Sequence, residues 1–166
     1  MKVRIKQAPA KQELEVSVTY GQKTDLVARV INFLETVDKQ LACYQGKQAY
    51  QVNVLDIYYI ESVDKKTFVY LKEAIYQTDW RLYQLTEELG QAGFVQVSKS
   101  CILNINVLKS IRPIFNSRME AKLINGEKVI INRSYIKAVK EALKGDRGDL
   151  SQISLRQLGY RWFCWL

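Results

Sequence analysis

The feature that most limits the possible folds of this chain is a sharp turn signal between two alternating segments. Apolar and polar residues alternate on both sides of Asn125-Gly126, from Met119 to Ile131. Asn-Gly is favoured at the centre of two-residue hairpin turns because both residues tolerate positive φ. The segment from Met119 to Ile131 therefore predicts an antiparallel β-hairpin.

Short apolar runs separated by turn residues continue this β pattern through most of the chain after Leu41. Two exceptions have helical spacing and predict amphipathic helices, one from Asp79 to Gly90 and one from Arg133 or Ser134 to about Gly145. The strand predictions are Ala42–Tyr44, Ala49–Val52, Ile57–Ile60, Phe68–Leu71, Ala74–Tyr76, Phe94–Val97 and Leu108–Ile111. The fold class predicted is α+β, predominantly β, with short helices.

The first 44 residues have a different pattern. Period-two alternation predicts strands at Lys2–Gln7 and at Leu14–Val18, and Thr24-Asp25 caps a helix that carries Leu26 and Phe33. This small β-β-α unit has no charge bias, which favours packing or dimerisation. We therefore divide the chain into an N-terminal extension (1–44), a mostly β domain (45–144) and a C-terminal tail (145–166).

Positive charge is concentrated in one third of the chain. Residues 94–144 contain ten Lys and Arg but three Asp and Glu, whereas residues 1–93 contain twelve of each sign. Two polar-basic clusters, Ser98-Lys99-Ser100 and Asn132-Arg133-Ser134, stand at the ends of apolar strands. Such donors suit phosphates and guanine edges, so a polyanionic partner is expected.

The chain lacks the residues that several classes of function require. The chain has no histidine, which excludes histidine triads, bases and metal ligands. Its three cysteines are far apart and fit neither a zinc site nor a disulfide framework. No glycine-rich phosphate loop, signal peptide or membrane-length apolar run is present. We expect a cytoplasmic protein that is not an enzyme and has no cofactor or metal.

Residues of about 45 to 144 resemble the LytTR family of bacterial DNA-binding domains. The resemblance rests on Phe94-Val-Gln-Val-Ser-Lys-Ser, followed by Leu103-Asn104, and on Asn125-Gly126 leading to Ile131-Asn132-Arg133-Ser134-Tyr135. Glu61-Ser62 at a strand end is a third match. The family implies an elongated β-sheet domain whose loops enter successive major grooves and bend the duplex.

The resemblance implies three DNA-contacting loops, with Thr67, Lys99 and Arg133 at the contact positions. Many members have histidine and arginine where this chain has Ser98 and Lys99, and serine where it has Asn132. Because lysine lacks the guanidinium fork of arginine, Lys99 suits phosphate better than a base. With neighbouring donors and Arg118 from the basic stretch, the candidate set is Lys65, Lys66, Thr67, Ser98, Lys99, Ser100, Arg118, Arg133 and Ser134.

Simpler structural roles compete with contact roles at several positions. Ser100 and Ser134 also suit turn and helix-cap positions, and Lys65-Lys66 also suits a solvated turn. Asn104 is better explained as a buried asparagine bonded to backbone than as a contact. Arg112 and Arg118 also suit a charged sheet edge that discourages strand pairing.

Sequence-specific binding of duplex DNA by a transcription regulator is the leading hypothesis. A module for RNA or single strands is an alternative, although Phe68, Tyr70, Phe94 and Phe115 fall on strands and suit a core. A peripheral membrane or protein-interaction module, using the aromatic tail Trp162–Leu166, is another. The resemblance also implies the stand-alone subgroup without a receiver domain, a small restraining membrane protein as partner, and a possible homodimer.

Overall fold

A computed structural model describes residues 14–147. Within this range the chain forms three α-helices, Asp25–Thr36 (α1), Leu82–Leu89 (α2) and Ile136–Arg147 (α3). Short 3₁₀ helices occupy Val54–Asp56, Gly90–Ala92, Ile105–Val107 and Arg133–Tyr135. The strands are Gln40–Gln45 (β1), Gln48–Asn53 (β2), Tyr59–Val63 (β3), Lys66–Tyr70 (β4), Ile75–Thr78 (β5), Phe94–Ser98 (β6), Cys101–Asn104 (β7), Leu108–Ile114 (β8), Arg118–Leu123 (β9) and Lys128–Ile131 (β10). The α+β, predominantly β prediction is confirmed.

The strands form two antiparallel sheets. The large sheet has the order β2-β1-β5-β4-β3-β7-β6, and the small sheet has the order β10-β9-β8. The predicted hairpin around Asn125-Gly126 joins β9 and β10, with Met119 opposite Ile131 and Gly126 at a φ of 93°. Gly46, at a φ of 61°, lies in the tight turn between β1 and β2.

Two apolar cores lie on opposite faces of the large sheet. On one face, Leu85 and Leu89 of α2 pack against a cluster that includes Ile60 and Ile102. On the other face, a cluster that includes Leu103 and Val97 packs against the small sheet and α3. Alternate residues of a strand point to opposite faces, so β7 contributes to both cores, and all four of its residues are buried.

The helix predictions within the β domain are confirmed, with small shifts in their ends. Leu85 and Leu89 of α2, and Val139 and Leu143 of α3, are buried as their spacing predicts. Helix α3 continues through Gly145 to Arg147. None of the helices in residues 14–147 is long and apolar enough to cross a membrane.

The N-terminal prediction is partly wrong. Helix α1 forms, and the Oγ1 atom of Thr24 accepts a hydrogen bond from the Val27 N–H at 3.4 Å. Residues 14–20 form no strand, and Leu14 is 88% exposed. This segment pairs with no strand of residues 14–147, and alternation cannot form a sheet without a paired strand. The predicted Lys2–Gln7 strand and the Trp162–Leu166 tail lie outside the described residues.

Asn104 is a buried polar residue that links the end of β7 to the segment before β3. It is 1% exposed, and its Nδ2 atom donates to the Ile57 carbonyl at 2.8 Å. Its Oδ1 atom accepts from the Asn106 N–H at 3.0 Å. Both backbone groups would lose a partner without this side chain, so the structural role predicted for Asn104 agrees with its position.

We predict that Asn104→Ala lowers the free energy of unfolding by about 1–3 kcal/mol, because it leaves a buried carbonyl unpaired. Urea unfolding measured by circular dichroism checks this value. Asn106→Ala is the matched control, since its amide bonds Ala92 at the surface and should cost less. Equal losses in the two variants would contradict the role given to Asn104.

Candidate nucleic-acid interface

The turn between β3 and β4 is tighter than the sequence pattern predicts. Only Asp64 and Lys65 separate the strands, and both are left-handed, with φ values of 49° and 64°. This is the conformation of the turns that match the twist of antiparallel strands. Lys65 and the first residue of β4, Lys66, are exposed. The turn therefore presents two adjacent cations at one end of the large sheet.

The turn between β6 and β7 lies beside the β3–β4 turn. Ser98, Lys99 and Ser100 form it, and the Ser98 Oγ atom accepts from the Ser100 N–H at 3.2 Å. The Ser62 N–H donates to the Ser100 carbonyl at 2.7 Å, which ties the end of β3 to this turn. Lys99 is exposed and both serines are half-buried. The serine hydroxyls thus shape the turn, and Lys99 extends from it.

Arg133 follows β10 at the start of the 3₁₀ helix that leads into α3. The Asn132 N–H donates to the Val97 carbonyl at 2.9 Å, next to Ser98. This bond brings the Asn132-Arg133-Ser134 segment to the β6–β7 turn, although the two are far apart in sequence. Arg133 and Ser134 are both exposed.

Arg118 lies at the same end of the molecule, on the small sheet. Its neighbour Met119 pairs with Ile131, which stands two residues before Arg133. The exposed residues of the candidate set therefore share one end of the two-sheet framework. We call this surface the cationic end and define it by Lys65, Lys66, Lys99, Arg118 and Arg133.

One member of the candidate set does not reach this surface. Thr67 is 3% exposed, on the face of β4 that points towards α2, opposite to the face of Lys66. The prediction that Thr67 contacts DNA is wrong, because its side chain has no surface for a partner. A one-residue change of position reverses the face of a strand side chain. Lys66 is exposed where Thr67 is not.

Arg112 has a carboxylate partner on the neighbouring strand. Its Nε atom donates to Glu120 Oε1 at 2.8 Å across β8 and β9, and Lys128 Nζ lies 3.5 Å from the same oxygen. The hydrogen bond from Arg112 lowers the pKa of Glu120, and the same bond raises the pKa of Arg112. This network agrees with the structural alternative given for Arg112.

Sequence reasoning missed three exposed side chains at the same end. Trp80 and Arg81 follow β5, whose last residue, Thr78, pairs with Thr67 beside the β3–β4 turn. Phe115 lies in the β8–β9 turn and is 86% exposed, so its assignment to the core is wrong. No local pattern marks these residues, because only the order of the strands brings them to this end.

The described chain offers little for metal or thiol chemistry. No group of three metal-ligating side chains occurs among residues 14–147. Cys43 and Cys101 are free and buried, and burial raises the pKa of Cys43 to about 11 and that of Cys101 to about 12. Both thiols are therefore protonated at neutral pH and act as core residues.

The antiparallel sheets with exposed cations on turns at one end form a β-framework domain suited to a polyanionic partner. Residues 47–144 match the model of the LytTr DNA-binding domain. The chain belongs to the LytTR family. A solved LytTr DNA-binding domain from Bacillus cereus is similar, with a TM-score of 0.60 and 25% identity, over 64% of this chain and 97% of that one.

Similar proteins include a bacterial sensory transduction protein and a bacterial transcriptional regulator. The sensory transduction protein LytT of Bacillus anthracis is 39% identical over 93 residues, 56% of this chain but 38% of LytT. An uncharacterized HTH-type transcriptional regulator of Staphylococcus aureus is 26% identical over 133 residues, 79% of this chain and 90% of its own length. Because only 22 residues follow residue 144, this longer match includes part of the chain before residue 47.

Proposed function

We propose that this protein is a sequence-specific duplex DNA-binding transcription regulator of the bacterial cytoplasm. The single observation that carries the proposal is the gathering of Lys65, Lys66, Lys99, Arg118 and Arg133 at one end of a LytTR domain. Cations on short turns of a rigid sheet neutralise phosphates and reach base edges without a large loss of chain entropy.

The width of the cationic end suits contacts at more than one point along a duplex, as the family resemblance implies. Strands β4 and β6 are three interstrand spacings apart, about 14 Å at roughly 4.8 Å each. A major groove is about 12 Å wide. Lys66 begins β4, whereas Arg133 lies beyond β6, so the strands next to these two residues are separated by slightly more than one groove width.

The residue types assign different roles to the two strongest candidates. The Arg133 guanidinium can donate two hydrogen bonds to the O6 and N7 atoms of guanine. Lys99 carries a compact charge between two serines that shape its turn, which suits a phosphate. Arg133 therefore reads sequence, and Lys99 adds affinity for any duplex.

We predict that Arg133→Ala costs about 1–3 kcal/mol of binding to the specific site and reduces the preference for guanine at one position. Selection of bound fragments from random duplex DNA first identifies the site, and titrations of single-base variants then measure the preference. Ser134→Ala, which removes a candidate phosphate donor beside Arg133, is the neighbouring comparison and should leave the base preference unchanged. An Arg133→Ala protein with wild-type preference at every position would contradict base reading by Arg133.

Lys99→Ala is expected to weaken binding to all duplexes alike, because it removes a phosphate contact. The slope of log K against log salt should fall by about 0.9 in magnitude. Fluorescence anisotropy with a specific and a scrambled duplex measures both effects. Competition with single strands of the same sequence tests the alternative class, and tighter binding of the single strand would contradict duplex recognition.

The proposal includes a homodimer formed through the segment before β1. Six of the thirteen exposed large apolar residues of the described chain precede Gln40, namely Leu14, Val16, Val18, Tyr20, Leu26 and Phe33. Exposed apolar side chains concentrated in one segment are typical of an interaction surface. The surface lies outside the family match, so it is separate from the cationic end in sequence.

We predict that Leu26→Ser combined with Phe33→Ser converts the dimer to a monomer, because both exposed side chains lie on α1 two turns apart. Sedimentation velocity of the full chain measures the change. Tyr83→Ser is the matched control, since Tyr83 is an exposed aromatic residue on α2. A monomeric wild type would contradict the homodimer and leave this surface for the small membrane protein that the family resemblance implies.

A further inference from the structure

Arg81 occupies a position where helix chemistry disfavours arginine. It is the N-cap residue of α2, with extended backbone angles of φ −79° and ψ 149°. Residues favoured at this position accept a hydrogen bond from the first turn, but a guanidinium has only donors. Its charge also stands at the positive end of the helix dipole. The sequence therefore keeps a cation where the helix itself gains nothing from one.

The cap of α2 is instead supported by Gln84. Its Oε1 atom accepts from the Arg81 backbone N–H at 2.9 Å, a bond that any residue except proline at position 81 can donate. The arginine side chain is thus not required for this bond. Another interaction must account for the guanidinium.

The Arg81 side chain extends from α2 to the cationic end. Its Nη1 atom donates to the Lys65 carbonyl at 3.0 Å, within the left-handed β3–β4 turn. The hydrogen bond places a third cation beside Lys65 and Lys66, although like charges repel one another. Arg81 remains exposed, and no ion pair in the described part of the chain joins it to a carboxylate.

We propose that Arg81 contacts a phosphate of the duplex from beside the β3–β4 turn, an inference that rests on the proposed function. A guanidinium has five N–H donors, and the Lys65 carbonyl engages Nη1, which leaves donors for phosphate oxygens. The hydrogen bond to Lys65 also orients the guanidinium before DNA arrives, so less side-chain entropy is lost on binding.

This contact adds a fifth segment to the interface. The junction of β5 and α2 joins the β3–β4 turn, the β6–β7 turn, the start of β9 and the segment that follows β10. A lysine at position 81 would keep the charge but lose the planar fork that bonds a carbonyl and a phosphate in one fixed geometry. Arg81→Lys therefore separates the effect of the positive charge from the effect of the guanidinium geometry.

The test uses the full chain and a random-sequence duplex of about three helical turns. Arg81→Ser is the main variant, because serine is a favoured N-cap and removes the charge while supporting α2. We expect the midpoint of its urea unfolding to equal or exceed that of the wild type. Its affinity for the duplex should fall about tenfold at low salt, and the slope of log K against log salt should decrease in magnitude by about 0.9. Stability and affinity moving in opposite directions is not expected from a purely structural residue.

Arg81→Lys and Lys47→Ala complete the comparison. Arg81→Lys should bind the duplex more weakly than the wild type but keep its slope of log K against log salt, because the charge is kept. Lys47→Ala removes one exposed cation from the β1–β2 turn, at the opposite end of the large sheet, and should bind as the wild type does.

The outcomes distinguish this inference from the proposed function. If the wild type binds duplexes and Arg81→Ser keeps its affinity and slope, the Arg81 contact is overturned and the proposed function stands. A loss of affinity without a change of slope also overturns the contact, and leaves Arg81 as a support of the turn. If the wild type itself does not bind duplexes at low salt, the proposed function is overturned, and the Arg81 contact is overturned with it.

Discussion

Two backbone hydrogen bonds hold the cationic end together. One joins the Ser62 N–H to the Ser100 carbonyl, and the other joins the Asn132 N–H to the Val97 carbonyl. The first keeps the β3–β4 and β6–β7 turns side by side, and the second attaches the Arg133 segment to them. Each bond connects backbone atoms, so the side chains of Lys66, Lys99 and Arg133 remain available to a partner.

The rigidity of this arrangement comes from strand β7, which lies between β3 and β6 in the large sheet. Its four residues are buried because α2 covers one face of the large sheet, and the small sheet with α3 covers the other. Asn104 ends the strand and bonds the buried Ile57 carbonyl and the partly buried Asn106 N–H. Turns anchored on such a strand are positioned before DNA binds, which favours specific recognition over general attraction to charge.

Local signals were enough to predict much of the fold. The Asn125-Gly126 turn and the helical spacing of Leu85 with Leu89, and of Val139 with Leu143, depend on interactions within a few residues or on one apolar face. The predictions for Leu14–Val18 and Phe115 failed for a shared reason. Alternation and apolar character show which residues suit a sheet or a core, but not whether another element is present to cover them.

The candidate site was also predicted only in part from local signals. Local charge and the family resemblance together indicated the exposed cations of the cationic end, whose contacts stay predictions, and they also indicated Thr67, whose side chain is buried. The face of a strand residue depends on register, and Thr67 is one residue from the exposed Lys66. Arg81 was missed because its hydrogen bond to Lys65 spans sixteen residues and two strands.

The amino-acid sequence by itself determined the class of fold, the turn positions and the concentration of positive charge after residue 93. These properties arise from backbone preferences, side-chain periodicity and composition, which act locally. Only the tertiary structure decided that four separated segments share one end and which side chains there are exposed. That outcome depends on strand order and on long-range backbone hydrogen bonds, because residues distant in sequence become neighbours only when the sheets form.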